Sequence, residues 1–252
     1  MDLKLAGRVA LITGGSRGIG RAAALGAAKR GYRVVVGYAS NKAAADEVVA
    51  AIAAGNGTAI AVKCDVGVEA DILNLFRQAD GFGRVAALVN NAGVVDRTAR
   101  VDEMSAERVA RMMTVNVVGS ILCAREAVKR MSTKHGGAGG VIVNLSSVAA
   151  TLGSPGLYVD YAASKGAIDT FTIGLAREVA GEGIRVNAIR PGLIDTDIHA
   201  SGGEPGRAQR LAPTVPMKRV GTAEEVANAI VWLMSDEASY VTGAIFDVSG
   251  GR

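Results

Sequence analysis

Residues 13–20 read Thr13-Gly14-Gly15-Ser16-Arg17-Gly18-Ile19-Gly20, and what lies on either side of them decides the fold. Before them, RVALIT at 8–13 is a short apolar run of strand character; after them, an Ala-rich stretch of helical period covers about 18–30. Glycines at 14, 18 and 20 allow a tight turn, a close backbone approach to a ligand and close packing of helix on strand. The N–H groups exposed at the helix start suit a pyrophosphate. Strand, glycine turn and helix in that order predict a dinucleotide ligand. The spacing is TGxxxGxG and not GxGxxG, so the setting carries the reading and not the triplet alone.

The same alternation continues outward from this turn. Further strand-like runs lie at about 32–37, 58–64, 86–90, 140–146, 184–190 and 244–248, and helical stretches at about 41–54, 69–80, 106–131, 160–181 and 222–235. Thr222 ahead of Ala-Glu-Glu is an N-cap with acids in the first turn. Seven near-continuous apolar strands between helices predict one doubly wound α/β domain over 1–252, a Rossmann-type parallel sheet with helices on both faces. No Pro-rich linker, repeat or compositional break argues for two domains. Residues 132–140 (STKHGGAGG) read as a flexible surface connection. Residues 191–216 hold four of the five prolines and read as a substrate lid.

Composition narrows the class. The chain has 252 residues, 49% hydrophobic and 21% charged, with no apolar run long enough to span a bilayer and no visible export signal. A soluble, cytoplasmic protein without a membrane partner is expected. The net charge of +4 comes from 28 basic and 24 acidic residues that are interspersed, so nucleic acid is not an expected partner. Cys64 and Cys123 sit in apolar segments and read as buried thiols in a reducing compartment. Only His135 and His199 exist, neither at metal-site spacing, and no metal is expected.

Cofactor choice turns on the end of the second strand, where an acid would bind the adenosine ribose 2′-OH. This chain has Gly37-Tyr38-Ala39-Ser40-Asn41 there, with no carboxylate. Arg17, Ser40 and Lys42 can instead bind a 2′-phosphate, which favours NADP(H), with NAD(H) left possible. Tyr161 and Lys165 stand four apart on a predicted helix and hence on one face. A cation beside a phenol favours the phenolate, so Lys165 is expected to pull the Tyr161 pKa down from about 10. Ser146 and Ser147 close the fifth strand on the edge where such sheets present ligands, and Ser147 is the expected hydroxyl with Ser146 as the alternative. Tyr158 is rejected as the acid/base because the residue four later is Ala162.

In combination these motifs resemble the short-chain dehydrogenase/reductase family across essentially the whole chain. TGGSRGIG at 13–20, including Gly14, Ser16, Arg17, Gly18, Ile19 and Gly20, resembles its cofactor loop, and Asp65-Val66 its adenine-contacting turn. Asn90-Asn91-Ala92-Gly93 resembles the turn beside the adenosine ribose, and Pro191-Gly192 with Ile194 and Thr196 the strip that holds the nicotinamide carboxamide. The resemblance implies a catalytic set of Asn116, Ser147, Tyr161 and Lys165, with Tyr161 and Lys165 also on the cofactor side and Asn116 bending a helix and holding a water beside the lysine. It implies hydride exchange between a nicotinamide and a carbonyl or alcohol, with Tyr161 as proton donor and acceptor. It also implies a homotetramer or homodimer formed through helices 106–131 and 160–181 and the 222–248 region. The subgroups that look nearest are glucose 1-dehydrogenase-like and 3-oxoacyl-carrier-protein-reductase-like. The interval from Ser147 to Tyr161 is one residue longer than the family pattern, which reshapes the substrate side. A non-catalytic dinucleotide-binding scaffold is the rival reading; degraded catalytic residues would favour it, and they are intact.

Overall fold

A computed structural model describes residues 7–196, 203–204 and 206–252. Strands β1 (Arg8–Ile12), β2 (Arg33–Tyr38), β3 (Ala59–Lys63), β4 (Arg84–Asn90), β5 (Gly140–Leu145), β6 (Ile184–Pro191) and β7 (Ile245–Val248) form one sheet in the order β3-β2-β1-β4-β5-β6-β7. Every pairing is parallel. The chain winds outward from β1 in one direction, then returns to β4 and winds in the other. That reversal opens a crevice at the carboxyl ends of β1 and β4, where a sheet of this kind holds ligands.

Helices cover both faces, as the apolar strands require. On one face α1 (Gly18–Arg30), α2 (Lys42–Ala54) and α9 (Ala223–Leu233) pack on Ala10, Ile12, Val34, Val36, Val143 and Ile189. On the other, α3 (Glu69–Phe82), α5 (Gly119–Met131) and α7 (Val159–Val179) pack on Val9, Leu11, Val35, Leu88, Ile142 and Val186. Consecutive strand residues therefore alternate between two cores, which is why the strands read as unbroken apolar runs and not as alternating ones. Cys64 and Cys123 are both free and buried, and burial pushes the Cys64 thiol up to about 12 and that of Cys123 up as well.

Thr222 caps α9 in a reciprocal box: its hydroxyl accepts from Glu225 N at 3.2 Å, and Glu225 Oε2 accepts from Thr222 N at 2.9 Å. Thr222→Ala is expected to cost about 1 kcal/mol and lower the melting temperature by roughly 2–4 °C, read by calorimetry.

The structure adds local detail in three places. The helix expected over 106–131 is α4 (Ala106–Met113) and α5 joined by a π-helical turn, Thr114–Val118, in which Gly119 N bonds to Thr114 O, five residues back. Residues 132–140 run over the surface, with Ser132 and Gly139 buried at their ends. They contain a 3₁₀ turn at Thr133–His135, Gly139 N donates to Met131 O at 2.8 Å, and Gly140 N to Gly183 O at 3.0 Å. The 191–216 segment contains α8 (Arg207–Leu211) and a 3₁₀ turn, Ala212–Thr214, where Leu193, Ala208 and Val215 build a small apolar cluster. Part of the expected lid, 197–202 and 205, lies outside the described residues. A four-residue helix, α6 (Ala149–Leu152), also stands where no element was expected.

Candidate active site

The glycine turn is held open by the residues that follow β4. Thr13 Oγ1 accepts from Asn91 N and Ala92 N, both at 3.0 Å, and Asn91 Nδ2 donates to Thr13 O at 3.0 Å and Gly14 O at 2.9 Å. Gly14 and Gly18 sit at φ of 61° and 51°, the left-handed region that disfavours side chains. A Cβ on Gly20 would lie 2.3 Å from Gly14 O, so helix and turn touch backbone to backbone. Arg17 is the N-cap of α1 but its side chain makes no capping bond, which leaves the first-turn amides to a ligand. A glycine cradle with uncapped amides fits a dinucleotide pyrophosphate.

Beside this turn lies a cleft of about 880 Å³ at the carboxyl ends of the strands. Gly14, Ser16, Arg17, Gly18, Ile19, Ser40, Asp65, Val66, Asn91, Ala92 and Gly93 line one part of it. Ser146, Ser147, Tyr161, Lys165, Pro191, Gly192, Ile194 and Thr196 line the rest. Three residues expected at the cofactor do not line it. Gly20 packs inside the turn, Tyr38 is buried in the core under α1 and α2, and Lys42 Nζ is drawn 2.6 Å from Asp46 one helical turn along α2. Arg17 forms no ion pair among the described residues.

The polar set at the centre is built from below. Lys165 is buried on α7, and its Nζ donates to Leu145 O at 2.6 Å and stands 5.6 Å from the Tyr161 ring centre. Burial brings the Lys165 ammonium down to about 8, against the pull of nearby Asp169. Burial likewise pushes the Tyr161 phenol up, and a hydrogen bond with the Ser147 side chain draws it part of the way back. The expected lowering by Lys165 is therefore overturned: desolvation of the phenol outweighs a cation whose Nζ is engaged by a backbone carbonyl.

The two serines separate clearly. Ser146 is buried and its hydroxyl donates to Lys165 O at 3.1 Å, tying β5 to α7. Ser147 Oγ, one residue on, accepts Ala149 N at 3.1 Å and faces the phenol. Between α6 and α7, Ser154 adopts φ of 47° and Leu157 O accepts Ala99 N at 3.1 Å.

Asn116 sits in the π-turn, and its side chain grips the backbone of Val94 from both sides. Val94 N donates to Oδ1 at 2.8 Å, while Nδ2 donates to Val94 O at 3.0 Å and to Ser164 Oγ at 3.1 Å. A Cβ on Gly93 would meet both Asn116 Oδ1, at 3.3 Å, and Lys165 Nζ, at 3.6 Å, so the two groups flank one residue. Beneath them a buried chain runs from Asn90 Nδ2 to Asn144 Oδ1 at 3.0 Å, and from Asn144 Nδ2 to Thr172 Oγ1 at 2.9 Å. This chain locks β4, β5 and α7 in register.

Sequence reading missed a further support. Asp160, adjacent to Tyr161, accepts Tyr161 N at 2.9 Å and a two-pronged contact from Arg108 of α4, at 2.8 and 3.2 Å. Its signal was absent because the partners are separated by more than fifty residues.

A family model described as enoyl-(acyl carrier protein) reductase matches residues 14–252. An uncharacterised oxidoreductase of Escherichia coli, YgfF, is 56% identical over 97% of this chain and 99% of its own. Glucose 1-dehydrogenase 2 of Bacillus subtilis is 41% identical (98% and 95% covered), and a 3-oxoacyl-[acyl-carrier-protein] reductase of Synechocystis is 40% identical (98% and 97%). A short-chain dehydrogenase from Burkholderia cenocepacia solved in complex with NADP superposes with a TM-score of 0.89 at 32% identity, covering 98% of each chain. The chain is a short-chain dehydrogenase/reductase. As a member of that family it is an NAD(P)-dependent oxidoreductase. Among the described residues of this dehydrogenase/reductase, no helix is long and apolar enough to cross a membrane.

Proposed function

We propose that this enzyme reduces a carbonyl compound to an alcohol with NADPH, using Tyr161 as the proton donor, and runs the reverse reaction by the same groups. The observation that carries this is the convergence of Ser147, Tyr161 and Lys165 beside the uncapped glycine turn in one cleft. When bound, the nicotinamide supplies or takes the hydride. Ser147 and Tyr161 hold the substrate oxygen, and Tyr161, neutral at pH 7 because burial holds its proton on, gives that proton as negative charge develops there. The Lys165 ammonium stabilises the phenolate left behind. Asn116 is a positioning residue that keeps Val94 and Gly93 against the lysine.

Preference for NADPH is supported by the exposed Arg17 and Ser40 on the cleft and by the lack of an acid after β2. The solved Burkholderia relative, described in complex with NADP, supports it too. Homo-oligomer formation is part of the same reading, supported by exposed Val109, Met113, Val118 and Ile121 along α4, the π-turn and α5.

The test is turnover of NADPH on a carbonyl panel that includes a β-keto thioester, a sugar lactone and small ketones, chosen from the activities for which the enzyme's relatives are named. Consumption with at least one acceptor is expected, together with loss of rate in Ser147→Ala and retention of rate in Ser146→Ala. No consumption with any acceptor overturns the reading.

Lys165 also sets a pH dependence. Its ammonium is charged below about 8 and loses its proton as the pH rises through that value, so its support for the phenolate is present below and lost above. The rate of carbonyl reduction, as kcat/KM, is expected to be level near neutrality and to fall tenfold per unit above about 8. A profile that stays level for roughly two units beyond that contradicts the assignment of the cation.

A further inference from the structure

Beyond Tyr161 the cleft ends in a wall that the cofactor loop and the catalytic set do not use. The connector between α6 and α7 supplies Tyr158, which is buried, and α8 supplies Arg207 as its first residue. The Arg207 guanidinium lies 5.1 Å from the Tyr158 ring centre and hydrogen-bonds the Tyr158 side chain, its side chain is only 13% exposed, and both residues line the cleft. Apolar Val148, Ala149, Leu152 and Leu193 line the same cleft, with Ser154 among them. Glu204 is 3.6 Å from Arg207 but 2.5 Å from Arg210, so one carboxylate faces two guanidinia and its closer contact is with the other arginine. Among the described residues Asp65 is the one acidic side chain lining the cleft; it sits beside the glycine turn and accepts Gly67 N at 2.9 Å. Arg111, a second cation of the cleft, is already paired with Asp96 at 3.4 Å.

A guanidinium stacked on an aromatic face, with its stem buried and apolar walls around it, is a preformed fork for a carboxylate or phosphate. We infer that Arg207 recognises an oxyanion on the substrate, so that the preferred carbonyl compounds are keto acids or keto phosphates rather than neutral ketones. The inference rests on the carbonyl-reduction reading above. Glu204 remains with Arg210 when the substrate oxyanion takes Arg207.

The test compares matched substrates under NADPH: 4-oxopentanoate and 6-oxoheptanoate against their methyl esters, and dihydroxyacetone phosphate against dihydroxyacetone. The enzyme is used as wild type, Arg207→Met and Arg207→Lys. Wild type is expected to prefer the charged member of at least one pair, and the carboxylate and phosphate arms show which oxyanion it takes. Arg207→Met is expected to raise KM for that member roughly 10–150-fold with kcat and the neutral partner unchanged, and Arg207→Lys to restore part of the loss. Equal loss for charged and neutral members, or no charge preference in wild type, overturns the inference. If wild type reduces nothing, the reaction reading fails by itself. Calorimetric titration of the enzyme–NADPH complex with the same keto acids and esters then still decides whether Arg207 selects the anion.

Discussion

Tyr161→Phe is expected to lower kcat by on the order of 10²–10⁴-fold, the span that a positioned proton donor contributes. The substitution removes one oxygen and leaves the ring, which packs against a cleft and not within either core. Folding and nucleotide binding are therefore expected to stay at wild-type levels. The glycine turn owes its shape to Thr13 and Asn91, which do not touch the phenol. Steady-state rates with a nucleotide titration on the same preparation separate the two effects. A Phe variant that keeps its rate removes Tyr161 as the proton donor, and one that also loses nucleotide binding shows the site to be organised differently.

The largest stability effect is expected at Arg108. Its side chain and that of Asp160 are 12% and 3% exposed, so removing the guanidinium strands a buried carboxylate. Arg108→Met is expected to cost about 3–5 kcal/mol, or roughly 10 °C in melting temperature. The double variant Arg108→Met/Asp160→Asn should be less damaged than Arg108→Met alone, because the uncompensated charge is gone. The pair also bears on acid stability. Burial raises the Asp160 carboxyl, but the Arg108 hydrogen bond and Tyr161 N overcome it, and the net shift is downward. Such a group stabilises the fold above its unfolded value of about 3.9, and that contribution is lost as the pH falls through the lower folded value. Arg108→Met should thus unfold at a higher pH on acid titration. Acid midpoints that coincide would show that the pair contributes nothing.

These two sites mark the boundary of what the sequence discloses. The seven strands were legible because a strand covered on both faces is apolar throughout, and the glycine turn because its residues are consecutive. Tyr161 and Lys165 were legible because four residues is one helical turn. The Arg108–Asp160 pair was not, since nothing local joins α4 to the start of α7. A bend at Asn116 was implied by the family resemblance, but its π-helical form and the grip on Val94, a tertiary contact, were not legible locally. Lys42 looked available for a phosphate until its own helix placed Asp46 beside it, and Tyr38 until the core took its ring. The direction of the Tyr161 shift was misjudged for a related reason: pairing with a cation is visible in a sequence, and desolvation is not. Residues 132–140 read as loose because they are rich in glycine. Those glycines also allow close approach, since a Cβ at Gly140 would stand 2.5 Å from the Met131 sulfur.

The most direct test of the account is a titration of the purified protein with NADPH and with NADH, followed by nicotinamide fluorescence, on wild type and on Arg17→Ala. Saturable binding of both nucleotides is expected, tighter for NADPH in wild type, with the difference lost in Arg17→Ala while NADH binding is unchanged. If neither nucleotide binds, the reading of the glycine turn is contradicted, and with it the function proposed for the cleft.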